Sequence, residues 1–98
     1  VIELSRRAAA QLDDLLTDFP EKERPEAMRN LLFALREARD AIQANPGGGL
    51  PAPRPYPTLA RPGRHWIKSG RYWIAWRRHP VPKIVAVVYD QADIPNRV

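Results

Sequence analysis

Ninety-eight residues are enough for one compact domain with a single modest core, burying roughly two-thirds of the surface that the unfolded chain exposes. Cysteine is absent, which excludes disulfides, thiolate catalysis and cysteine-based zinc or iron sites, and suits a reducing cytoplasm. The net charge of +5 is unevenly spread: residues 1–44 carry seven Lys/Arg against nine Asp/Glu, and residues 45–98 carry nine against two. Between Asp40 and Asp90 there is no carboxylate side chain, so the basic half finds no neutralising neighbour in sequence. Such a half is either a solvated basic face or a surface for an acidic partner, a polyphosphate backbone or an acidic protein segment. No apolar run approaches the roughly 20 residues that cross a bilayer, and Val1 to Leu4 lacks the layout of a signal peptide. The expectation is a soluble, cytoplasmic chain with no membrane association.

Val1 to Leu4 alternates apolar residues and runs into Ser5, a good N-cap, which predicts a brief strand feeding a helix. From Ser5 to about Phe19 the residues Ala8, Leu12, Leu15, Leu16 and Phe19 share one helical face, and Pro20 ends the run. A second helix starts near Pro25, with Glu26 at the positive end of its dipole. Its stripe is Met28, Leu31, Leu32, Leu35, Ala38 and Ile42, and Asn45-Pro46-Gly47 stops it. The short polar link Glu21 to Arg24 makes the two a helical hairpin.

Six of the eleven prolines fall between Pro46 and Pro62, which excludes a helix or a central strand there. The segment reads as a stiffened loop along the surface, with Leu50, Tyr56 or Leu59 as apolar pegs. Beyond Gly63 the period becomes 2, and residues 64–68, 71–78 and 83–89 read as three strands. Lys83 to Tyr89 is apolar on both faces for most of its length, as a strand in the middle of a sheet is. The predicted fold class is therefore α+β: a short N-terminal strand, a helical hairpin and a three-stranded antiparallel segment, forming one sheet with the helices on one face. On this reading nothing in the chain covers the other face.

The strand pair GRHWIKSGRYWIAWRR, Gly63 to Arg78, holds all three tryptophans. A two-residue turn at Ser69-Gly70, or equally one at Gly70-Arg71, sorts its side chains into the same two sets. His65, Ile67, Tyr72, Ile74 and Trp76 suit the face against the helices. Arg64, Trp66, Lys68, Arg71, Trp73 and Arg77 form the other face, where cations alternate with indoles. That set is a target-binding candidate, since it combines attraction for phosphate with flat surfaces for stacking. The alternative is a structural cross-strand indole pair with basic rims.

Groups for chemistry are few. His65 and His79 have no acid or cysteine companions at ligand spacing, so no metal site and no cofactor are expected. A general base in the basic half would have to be His65, Lys68, Tyr72 or Tyr89, with Arg64 or Arg71 as stabilisers of a pentacovalent phosphate.

Taken in order, ELSRRAAAQLDDLL, the helix ending in NPGGGLP, GRHWIKSGRYWIAWRR and IVAVVYDQADIPNR resemble the toxins of type II toxin–antitoxin systems in the RelE/ParE superfamily, over nearly the whole chain. The resemblance implies a small basic growth-inhibiting toxin, of the kind that also stabilises plasmids, silenced by a cognate antitoxin in a hetero-oligomer. It implies one of two targets. RelE-like members cut mRNA on the ribosome, and ParE-like members poison DNA gyrase without cutting RNA. Gly70-Arg71-Tyr72 matches the family hairpin, but Trp73 stands where the RNA-cutting members hold an Arg. Arg64 and Lys68 fall where those enzymes also have basic residues. Tyr89 replaces a frequent His, and Ala92 replaces an Arg common in the ParE-like tail. The LSRRA…LDDL opening and the NPGGG loop resemble the ParE-like branch more closely. A gyrase inhibitor is thus the expectation; the alternatives are a ribosome-dependent endonuclease working through Arg64, Lys68, Arg71 and Tyr89, or an inactive relative.

Overall fold

The computed structural model describes residues 2–18, 24–53, 56–78 and 80–90. Expectations placed on Phe19, Pro20, the start of the inter-helix link, His79 and Ala92 lie outside the described residues. The element order is β1 (Glu3–Leu4), α1 (Arg6–Asp18), α2 (Arg24–Ala44), β2 (Arg64–Ser69), β3 (Tyr72–Arg77) and β4 (Lys83–Tyr89). The four strands form one sheet in the order β1-β4-β3-β2, with β1 parallel to β4 and the other pairs antiparallel. This is the α+β layout read from the sequence.

Local chemistry explains each boundary. Ser5 caps α1: its Oγ accepts from the Ala8 N–H at 3.1 Å, while its own N–H donates to the Ile84 carbonyl at 2.8 Å and ties the helix start to β4. The turn between β2 and β3 is Gly70-Arg71, closed by the pair Ser69 and Tyr72. Gly70 has φ +59°, the positive value that a type II′ turn places at its first central residue. Because this turn keeps the two side-chain sets, Tyr72, Ile74 and Trp76 are buried toward the helices, with Ile67 packed against them. Ala8, Leu31, Ala34, Leu35, Ala38 and Ile42 complete that core from the helical side. One member of the expected stripe departs: Leu32 is 52% exposed, because it stands a hundred degrees round the helix from the buried Leu31.

The opposite face is not bare, and here the structure corrects the sequence reading. Trp66 and Trp73, expected to stand exposed for stacking, are 0% and 3% accessible. They pack with Ala75, Ala86 and Val88 under Leu50, Tyr56 and Leu59 of the proline-rich loop, whose residues Ala52 and Pro53 are also buried. The pegs were foreseen, but what they plug was not. Two indoles of this size repay the ordering of a loop: each removes on the order of 150–250 Å² from water, or about 4–6 kcal/mol at the usual coefficient. Proline lowers the entropy lost by ordering it.

A bulge lets β4 serve both layers. Ala75 pairs with Ala86 and Trp76 with Ile84, so Val85 is the extra residue. Ile84 and Val87 consequently both reach the helical core although they are three apart, while Val85, Ala86 and Val88 belong to the loop-side cluster.

The crossing from α2 to the far face is held by the NPGGGL segment. Trp76 Nε1–H donates to the Pro46 carbonyl at 2.9 Å, and Leu50 exchanges two 2.7 Å backbone hydrogen bonds with Trp66. Gly49 sits between them at φ +82°, where a Cβ would lie 2.6 Å from both the Trp66 carbonyl oxygen and Trp76 Cη2. Gly49→Ala is therefore expected to destabilise the protein by about 2–4 kcal/mol, from positive-φ strain together with the backbone clash. A shift in the urea midpoint, followed by circular dichroism, measures it, and an unchanged midpoint would contradict this account of the loop. Trp73→Arg is expected to cost at least about 3–5 kcal/mol, the range for losing a buried aromatic side chain, because the charge enters a site with no counter-ion. A variant as stable as the parent would show that the loop does not seal this face.

Candidate functional site

A cleft of about 1180 Å³ opens between α1 and α2 with the sheet as its floor. It exists because the helices rest on different strands, α1 mainly on β4 and α2 on β2 and β3. Gln11, Asp14 and Leu15 line it from α1, while Glu26, Asn30, Phe33 and Glu37 line it from α2. Lys68, Arg71, Tyr72 and Tyr89 line it from the β2–β3 turn and the end of β4. The cleft thus carries acids on its helical walls and cations at its sheet end. Phe33, 63% exposed, stands on the α2 wall. Ser69 fixes the turn beneath α2 by donating its Oγ–H to the Ala34 carbonyl at 2.8 Å. Gln11 Oε1 accepts the Val87 N–H at 2.9 Å, satisfying a backbone donor of β4 beyond the short reach of β1.

The sequence-derived set divides into two groups. Lys68, Arg71 and Tyr89 come together at the turn end, with Tyr72 beside them; the Tyr72 and Tyr89 rings lie 5.8 Å apart at 60°. Arg64 is at the other end of β2, opposite Arg77. At about 3.3 Å per residue it is roughly 13 Å from Lys68 along the strand, so one compact site cannot hold both. Trp66 and Trp73 are withdrawn into the loop-side core, which removes them as open stacking surfaces.

Electrostatics at the turn end favour holding over proton transfer. Lys68 Nζ pairs with Asp90 Oδ2 at 3.3 Å, a contact that the sequence reading did not anticipate. The signal was there: Asp90 is the first carboxylate after the forty-nine residues that follow Asp40, and its backbone N–H donates to the Arg71 carbonyl at 2.9 Å. Its other oxygen, Oδ1, is buried and has no hydrogen-bond partner. Hydrogen bonding to Tyr89, with that residue's charge adding, raises the pKa of the exposed Arg71 guanidinium. Burial raises the Tyr72 phenol above its ordinary value; Tyr89 and Asp90 push the same way and Arg71 opposes them. His65 is engaged elsewhere. Its Nδ1–H donates to the Gly48 carbonyl at 3.0 Å and its ring stacks on Trp76 at 5.4 Å. Among the described residues no group of three or more His, Cys, Asp or Glu is placed to hold a metal ion. No helix among them is long and apolar enough to cross a membrane.

No protein-family model matches the chain, and no curated protein matches it significantly.

Tyr72 has a stability consequence with a definite sign. Its pKa is raised on folding, so its contribution is whole below the ordinary tyrosine value and drains away as pH rises through the folded value. The urea midpoint is expected to fall between about pH 9 and about pH 11, on either side of the free-tyrosine value near 10, and Tyr72→Phe is expected to flatten that fall. An equal fall in the variant would place the alkaline transition on another group.

Proposed function

We propose that this chain is the toxin of a type II toxin–antitoxin module, acting in the cytoplasm by binding DNA gyrase and kept silent by a cognate antitoxin. The reading rests on the order of the four motifs along the chain and on the charge of the C-terminal half. The observation that carries binding over cleavage is the state of the turn-end cluster. Lys68 is committed to Asp90, and the Tyr72 phenol is held in its neutral form. A phosphoryl-transfer site needs a base poised near the working pH, and the upward shift of the Tyr72 phenol moves it away from that range. What remains is a set of donors, Arg71 hydrogen-bonded to Tyr89 above all, at the end of an amphipathic cleft.

The same cleft suits the silencing partner. Its apolar floor and mixed rim match an amphipathic segment that folds as it binds, with acids meeting Lys68 and Arg71 and basic residues meeting Glu26 and Glu37. Such a partner produces a toxin–antitoxin hetero-oligomer and covers the residues that meet the target.

A second reading, a ribosome-dependent mRNA endonuclease, is favoured by one observation: Lys68, Arg71 and Tyr89, three of the four residues that this activity would use, stand together. Purified protein separates the two. The expected result is inhibited supercoiling or trapped cleaved DNA with gyrase, with no cut mRNA in a translating extract. Arg71→Ala is expected to weaken inhibition at least about tenfold, the loss of one charge-assisted contact at roughly 1.4 kcal/mol per decade. Cut mRNA with untouched gyrase would replace the first reading by the second, and harmless expression without any antitoxin would remove both.

A further inference from the structure

The cations at the opposite end of the sheet are not used by the cleft, and their arrangement runs against local energetics. Arg64 on β2 lies directly across from Arg77 on β3, and Arg77 directly across from Lys83 on β4. Three like charges thus occupy adjacent strands in one row, where direct cross-strand repulsion is destabilising. Partial burial lowers the pKa of Arg64, and the nearby charges of Arg61 and Arg7 lower it further. Among the described residues the only ion pair in the protein is Lys68–Asp90, at the other end. Glu3 is in register with Lys83 but forms no ion pair with it. Four elements, α1, β2, β3 and β4, and the loop before β2 therefore gather cations that form no ion pair among the described residues.

We infer that the row Arg64–Arg77–Lys83, with Arg61 and Arg7 beside it, is a docking surface for the phosphodiester backbone of duplex DNA. Neighbouring strands are about 4.8 Å apart, so the row spans about 10 Å, and a duplex offers one phosphate charge per roughly 1.7 Å of axis. Several phosphates fall within reach of the three side chains. The burial of Trp66 and Trp73 selects the duplex over a single strand. Single-strand surfaces pair cations with aromatic faces on which unstacked bases lie, and the two indoles of this face are sealed beneath the loop. A contact made through phosphates alone is sequence-independent and salt-dependent. The inference does not depend on the toxin reading, because it is tested with DNA alone.

Fluorescence anisotropy of a labelled DNA duplex, titrated with the full chain between about 50 and about 200 mM salt, reads the number of phosphates engaged. Combined Arg64→Gln, Arg77→Gln and Lys83→Gln is expected to reduce the slope of log K against log salt by about 2.7, at about 0.9 for each lost contact. Lys68→Gln with Arg71→Gln, at the other end, is expected to leave the slope unchanged. Should the triple variant fail to fold, Arg77→Gln alone, at an exposed position, is expected to reduce the slope by about 0.9. Absence of binding at the lowest salt, equal losses from the two ends, or tighter binding of single-stranded RNA than of duplex DNA would each overturn the assignment. Gyrase inhibition has no part in this readout, so it stands or falls separately.

Discussion

Everything in this fold depends on how the chain crosses the edge of β2. After α2 it must pass from the helical side of the sheet to the other, and it does so in the five residues Pro46 to Leu50. Trp76 Nε1–H holds Pro46, His65 Nδ1–H holds Gly48, and Leu50 pairs with Trp66 through both backbone groups. These bonds satisfy part of what would otherwise be an open sheet edge, the usual liability of an outer strand. They also aim Leu50, Tyr56 and Leu59 at Trp66 and Trp73. Only glycine fits at position 49, since the same contacts that pin the crossing leave no room for a Cβ.

Once the loop covers the far face, both faces of the central strands must be apolar. That demand explains the composition of β4 and its bulge at Val85, which re-aims Val87 at the helices while Ala86 and Val88 stay under the loop. It also determines where charge is allowed. Lysine and arginine cannot occupy the middle of a two-sided sheet, so they move to its ends, Lys68 and Arg71 at the turn and Arg64, Arg77 and Lys83 at the other. The two poles follow from burying the middle.

Much of this could be read from period and punctuation. The Ser5 cap, the Pro25 start, the stop after Ala44 and the three later strands all rest on local chemistry and lie within a residue or two of the structure. The division of side chains between the two sheet faces was also legible, because a shift between the two candidate turns conserves parity. What parity cannot reveal is whether a face is covered. Trp66 and Trp73 alternate with Arg64 and Lys68 in the same way whether they meet solvent or Leu50 and Tyr56, and the decisive contacts join residues far apart in sequence. The Lys68–Asp90 pair eluded the sequence for the same reason. Nothing near either residue marks the pairing, which depends on β4 ending beside the turn.

Trp73 is where the sequence departs from the RNA-cutting members of the RelE/ParE toxins it resembles, which hold an arginine there, and the structure gives that position a second meaning. Trp73 is a structural residue of the loop-side core and faces away from the cleft that Tyr72 and Tyr89 floor. A cation at this point would have to sit under the proline-rich loop, so a loop that seals the far face and an arginine at position 73 are mutually exclusive. The loop and the tryptophan therefore form one unit, in which stacking surface is exchanged for a second core. Proteins that hold single strands need open aromatic faces; this chain has buried Trp66 and Trp73 and kept its cations at the rims. The proposed function and the proposed duplex contact both use that charge from outside, the one at the turn end and the other at the opposite end.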